Sequence, residues 1–156
     1  MRHGLDTCFL VAFEAVGHSQ HTASQALVRQ CLLNGDEFAL APQVLAELVH
    51  VLTDSKRFTQ PLSMDAALNR AQLWWTASEV SQVFPTEAAV NTFLGWMKQH
   101  GLGRKRILDT LLGATYLTAG INSLITTNSR DFRTFGVFTI IEPCNCPAAN
   151  IAQSLF

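Results

Sequence analysis

The chain has 156 residues, 48% of them apolar, enough for one domain with a proper core. Its formal net charge of −1 excludes a global basic field, so any recognition of phosphate must come from local clusters. No apolar run approaches the roughly 20 residues of a membrane span and the first residues carry no signal-peptide pattern, so a cytoplasmic protein with no membrane partner is expected.

Met1 to Leu5 reads as a first strand, ended by Asp6-Thr7. CFLVAF follows as a short apolar run, strand or helix, that periodicity does not distinguish. After the break at Gly17, His18 to Leu33 carries Ala23, Ala26, Leu27 and Leu33 at roughly helical spacing and ends at Asn34-Gly35. His18 and His21 share a face but have no third metal ligand at matching spacing. Phe38 to Leu40 is a second short strand. Pro42 then fits the first turn of a helix running to about Thr53, because its missing N–H costs nothing there. Val44, Leu45, Leu48, Val49 and Leu52 form the core side of that helix, and Glu47 falls on its border.

SKRFTQPLS is a polar connection. Met64 to about Ala77 is amphipathic, with Leu68, Ala71 and Trp75 on one face; Trp74 and Trp75 suit core, a subunit contact or a stacking platform. Val80 to Phe84 reads as a third strand, and Pro85-Thr86-Glu87 opens a helix through Met97 that Gly101 and Gly103 end. Arg104, Lys105 and Arg106 precede a stretch from Ile107 to Ser129 whose one charged residue is Asp109. There Leu108, Leu111, Leu112, Leu117 and Ala119 surround almost the whole circumference, so a buried helix is expected, stopped by Gly120. Ser123 to Thr126 is a short strand, NSRDF the loop beyond it, and Val137 to Ile141 a last β-rich run. Cys8, Cys31, Cys144 and Cys146 fit neither a disulfide framework nor zinc-finger spacing, so reduced thiols are expected.

Strands alternating with helices imply a mostly parallel sheet covered on both faces, with its ligand site beyond the C-terminal strand ends. Asp6 and Asp131 follow strands at that end, and Asp109 and Glu47 are read in the first turns of helices able to point the same way. Each acid alone also suits a cap, a turn or a solvated edge. Clustered carboxylates repel one another and are destabilising unless a cation sits among them. Oxygen-only ligands select Mg²⁺ or Mn²⁺, and the reaction class is then metal-assisted hydrolysis of a phosphodiester.

The pieces GLDTCFLV, APQVLAELVHVL, RILDTLLGATYLTAGINSLITTNSRDF and VFTII, in this order from Gly4 to Ile141, resemble the PIN-domain ribonucleases. The closest likeness is to the VapC-type toxins of bacterial toxin–antitoxin pairs. The resemblance implies an α/β fold, a three-layer α/β/α sandwich with a mostly parallel central sheet. Residues 1–142 would form the single nuclease domain and 143–156 a C-terminal tail. It further implies that Asp6, Glu47 and Asp109 are metal-binding catalytic acids, with Asp131 the fourth. Thr126 matches a hydroxyl residue that often precedes that segment. Two positions depart from the pattern: Cys8 stands where the family often has Asn, and Asn128 where it often has Asp. Asn128 therefore competes with Asp131 for the fourth position, and the anion of Asp131 is the better Mg²⁺ ligand. Arg104, Lys105, Arg106 and Arg130, with Arg133, suit an RNA backbone or an ordinary solvated loop. A small VapB-like antitoxin and a homodimer, built through helices between Gly17 and Ala77, are the implied partners beside the RNA substrate. The competing expectation is a non-catalytic PIN-like module that binds RNA or protein.

Overall fold

The computed structural model describes residues 1–144; Cys146 and nearly all of the expected tail lie outside the described residues. Five short strands form one sheet: β1 (Arg2–Leu5), β2 (Glu37–Leu40), β3 (Val80–Gln82), β4 (Ser123–Ile125) and β5 (Thr139–Ile141). Their order is β3-β2-β1-β4-β5, and all four pairings are parallel. The chain starts in the middle, winds outward to β3, then returns to β4 on the other side of β1. The order therefore reverses between β1 and β4, and a crevice opens at their C-terminal ends.

The central strands are buried on both faces, as a fully covered parallel sheet requires: Leu5, Phe38, Ala39, Leu40, Leu124 and Ile125 have essentially no exposed surface. Helices α1 (Thr7–Glu14), α2 (His21–Leu33), α3 (Pro42–Leu52) and α4 (Met64–Thr76) pack in one group. Helices α5 (Glu87–Gln99), α6 (Ile107–Thr118) and α7 (Ser129–Arg133) form another, α6 being preceded by a 3-10 turn at Arg104–Arg106. Among the described residues no helix is long and apolar enough to cross a membrane.

Sheet and α6 are pinned together by Tyr116. This fully buried side chain donates to the carbonyls of both Leu5 (2.7 Å) and Ala39 (3.1 Å). Its ring fills the space a side chain at position 4 would need: a Cβ on Gly4 would stand 2.7 Å from it. Gly4→Ala is therefore expected to lower stability by about 1–3 kcal/mol through overpacking, read as a fall in denaturant midpoint at unchanged slope. An unchanged midpoint would mean the contact is looser than the geometry shows.

Several elements differ from expectation. CFLVAF, which periodicity did not assign, is helix, with α1 starting at Thr7 directly after Asp6. NSRDF is not a loop: Ser129–Arg133 forms α7, whose Phe132 anchors in the core. The Asp109 helix is not buried all round; it packs through Leu112, Gly113, Ala114, Thr115 and Tyr116 while Leu108 is 55% exposed. In α4 the inward residues are Ala67 and Ala71, and Leu68 faces out. In both helices small residues take part of the buried side, because they permit close approach. A reading by hydrophobicity puts the leucines there instead.

Candidate active site

The crevice beyond β1 and β4 is built from four segments. Asp6 continues β1 past its last paired residue, its N–H bonded to the Ile125 carbonyl at 3.1 Å, which fixes it beside the end of β4. It occupies the N-cap position of α1, yet its side chain makes no capping bond. Instead Oδ2 accepts from the Thr126 hydroxyl and the Cys8 thiol, each at 2.6 Å. Thr126 also accepts from the Asn128 N–H at 2.9 Å, so one hydroxyl links Asp6 to the loop that bears the fourth candidate.

Glu47 lies mid-helix in α3, further along than the first turn that its sequence neighbours suggest. It is half-buried and accepts from the Thr7 hydroxyl at 2.8 Å. Asp109 sits in the first turn of α6, where the helix N-terminus favours a negative charge. Among the described residues it accepts no hydrogen bond from any side chain and joins no ion pair. Asp131, in α7, is held on both oxygens. Arg106 pairs with Oδ1 at 3.3 Å and bonds to its backbone carbonyl, while the Asn128 amide donates to Oδ2.

Electrostatics couple the four acids. Burial pushes the Asp6 carboxyl up, its two side-chain donors and the Thr7 N–H pull it back, and Glu47 adds a smaller upward push. The Asp109 carboxyl is pushed up to about 7, first by burial, then by the charges of Asp6, Asp131 and Glu47, against a downward pull from Arg106. Cys8 is driven to about 12 by burial and by Asp6, so the thiol stays protonated and acts as a donor. The charges of Asp6, Glu47 and Asp131 thus all act on Asp109, as neighbours at one end of the sheet do. A carboxylate cluster with one member left without a donor fits a hard divalent cation by its oxygen chemistry and by its charge. Among the described residues, however, no three of these acids bring ligand atoms within 4.8 Å of one another.

A pH dependence follows. Between the ordinary 3.8 and about 7 the folded, metal-free protein holds a proton on Asp109 that the unfolded chain has released. Stability therefore falls as pH rises through that window, because the folded state binds more protons there. Solvent at the pocket mouth screens the effect, leaving about 1–2 kcal/mol. Thermal melts in chelator at pH 5 and pH 8 should show the lower midpoint at pH 8, and Asp109→Asn should remove most of the difference. The same pH slope in that variant would refute the assignment.

The basic residues divide. Arg104, Lys105, Arg106 and Arg130 line one cleft together with Asn128 and Asp131, at the edge of the acidic pocket. Arg133 is turned away and pairs with Glu142 at 3.0 Å. Sequence reading did not assign a role to Thr7, which holds Glu47. It noted Cys8 as a departure, and the structure gives that thiol the donor's part toward Asp6. The only signal for either was adjacency to Asp6, which the strand-to-helix turn converts into contact.

No family model and no curated protein match the chain. Solved structures do. A chain of FitAcB from Neisseria gonorrhoeae superposes with TM-score 0.65 at 17% identity, covering 94% of this chain and 100% of that one. VapBC-1 from nontypeable Haemophilus influenzae gives 0.61 at 18% identity, covering 91% and 98%. VapC20 from Mycobacterium tuberculosis, described as a sarcin-ricin loop cleaving toxin, gives 0.60 at 18% identity, covering 80% and 87%. The chain has the α/β fold of the VapC-type, PIN-like proteins; the sequence resemblance implied a mostly parallel sheet, and all its pairings are parallel.

Proposed function

We propose that this protein is a metal-dependent endoribonuclease that hydrolyses RNA phosphodiesters, the toxin of a toxin–antitoxin pair. The observation that carries the reading is the group of acids near the reversal of strand order, where burial first, and then the charges of Asp6, Asp131 and Glu47, raise the Asp109 carboxyl to about 7. Repulsion of this kind is costly, and a pocket that retains it has a use for a cation. Mg²⁺ or Mn²⁺, when bound, supplies a water of lowered pKa and neutralises charge on a phosphoryl oxygen. Asp6 and Asp109 would hold it, with Glu47 and Asp131 as further ligands, direct or through water.

The remaining work belongs to the chain. Thr126 and Cys8 orient the Asp6 carboxylate, and Thr7 orients Glu47, as outer partners of metal-binding groups do. Arg104, Lys105 and Arg130 offer cations to the RNA backbone in the cleft alongside. Phosphate contacts of this kind position a strand without reading its sequence, so the target RNA is chosen elsewhere. Arg106 occupies Asp131 and serves as counter-ion to the pocket. A VapB-like antitoxin would neutralise the same pocket by presenting a cation, for which Arg, with its bidentate fork, is suited. A homodimer is part of the proposal, and the exposed Met64 and Leu68 on one side of α4, with Leu62 just before it, would form its contact surface.

The test is induction of the wild-type chain and of Asp109→Asn in a bacterial host, with growth and RNA integrity followed together. Growth arrest with RNA cleavage in the wild type alone supports the toxin. An RNA- or protein-binding module without catalysis would leave RNA intact in both.

A further inference from the structure

We infer that the opposite end of the sheet carries a second, zinc-type metal site formed by His3, Cys31 and Asp36. Among the described residues this is the one group of three His, Cys, Asp or Glu side chains whose ligand atoms all lie within 4.8 Å of one another. Its members come from three places: His3 from β1, Cys31 from the last turns of α2, and Asp36 from the turn leading into β2. That turn is built for the juxtaposition. Gly35 adopts φ +72°, which an L side chain rarely does, and the Asp36 N–H returns to the Cys31 carbonyl at 2.9 Å. The site is separate from the acidic pocket: His3 lies in β1 and Asp6 three residues on, just past the strand's end, about 10 Å away.

The imidazole is set as a ligand would be. Its Nδ1 lies 2.7 Å from the Ser123 hydroxyl on the neighbouring strand, which leaves Nε2 directed at Asp36 Oδ2, 3.5 Å away. A ligating histidine is oriented through its other nitrogen in this way. His3 and Cys31 are 3% and 4% exposed, whereas Asp36 reaches the surface. A cleft is lined by Met1, Arg2, Gly35, Glu37, Gly120 and Ile121, sequence neighbours of His3 and Asp36 among them, and an ion with a water as fourth ligand would enter from that side. The other Asp36 oxygen accepts from the Met1 amine at 2.6 Å.

One sulfur, one imidazole nitrogen and one carboxylate oxygen make a mixed donor set that suits Zn²⁺ and disfavours Mg²⁺. Bonds of about 2.0–2.3 Å put tetrahedral ligands roughly 3.3–3.8 Å apart, so the trio has to close by about 1 Å. An ordinary His–Asp ion pair accounts for two of the three groups, while Cys31, packed in the core, is set with its sulfur turned to that pair. With an ion bound, β1, α2 and β2 are stapled at the N-terminal edge of the sheet, and the folded state gains stability with metal concentration.

The test uses the full chain, stripped with chelator and titrated with Co²⁺ in excess Mg²⁺ under reducing conditions. A near-ultraviolet thiolate-to-cobalt band saturating at one equivalent is expected, displaced by Zn²⁺, with a melting temperature that rises with Zn²⁺. Cys31→Ser should abolish the band. Asp36→Asn, at the surface end of the site, should weaken Zn²⁺ binding at least about tenfold, and Ser123→Ala about tenfold through loss of imidazole orientation. Absence of the band in the wild type overturns the proposal, as does a band that survives Cys31→Ser. If Cys31→Ser does not fold, Asp36→Asn decides: wild-type Zn²⁺ affinity there overturns it. An Asp6→Asn variant should leave the band unchanged, since the acidic pocket plays no part in it.

Discussion

Asp109→Asn is expected to keep the fold and reduce RNA cleavage by about a thousandfold or more. Losing an anionic ligand removes several kcal/mol of transition-state stabilisation, at 1.4 kcal/mol per factor of ten. The fold should survive because Asp109 has no structural partner to lose; its charge stands against Asp6, Asp131 and Glu47. Removing it relieves that repulsion, so the metal-free variant should match or exceed the wild type in thermal stability at pH 8. Cleavage assays with purified protein and melts on the same samples give both halves of the result. Wild-type cleavage rates in this variant with Mg²⁺ present would end the proposal. Lost activity in an unfolded variant would instead make Asp109 a structural residue.

The second large effect concerns the loop after β4. Asp131→Ala is expected to lower Mg²⁺ affinity by about 10–100-fold, the range seen when groups around a metal are removed. Asn128→Ala should do less. The Asn128 side chain donates to Asp131 and its backbone N–H to Thr126, so it shapes the loop that carries the acid. Arg106 complicates the reading, since it holds Asp131 and must share it with an ion. Asn128→Asp adds a carboxylate at a position exposed to solvent and should be tolerated, with equal or tighter metal binding. The assignment reverses if Asp131→Ala binds Mg²⁺ as the wild type does while Asn128→Ala binds none.

Much of this was legible from residue order. Alternating apolar runs fixed the α/β class, and the positions of Asp6 and Asp131 after strands, with Asp109 at a helix start, pointed to one end of a parallel sheet. Other features depend on contact and leave no trace in periodicity. The buried side of α6 is chosen by Gly113, set against Trp96, Phe135 and Phe138, and by the single large ring of Tyr116 under Gly4, so counting leucines misplaced it. The segment after β4 becomes helical because Phe132 has a core position to fill, which a polar tetrapeptide does not announce. Glu47 looked like a solvated border residue. Its environment is set by Thr7, forty positions earlier, and only the packing of α1 on α3 brings them together. The His3, Cys31 and Asp36 cluster was equally invisible, since no spacing rule joins residues brought together by a parallel sheet and a glycine turn.

The central claim is that the acidic pocket takes a divalent ion, and Mn²⁺ titration followed by electron paramagnetic resonance tests it most directly. The free-ion signal should fall as wild-type protein is added, Mg²⁺ should restore it by competition, and the Asp6→Asn/Asp109→Asn double variant should leave it at full strength. A folded double variant that binds Mn²⁺ as tightly as the wild type would contradict the account.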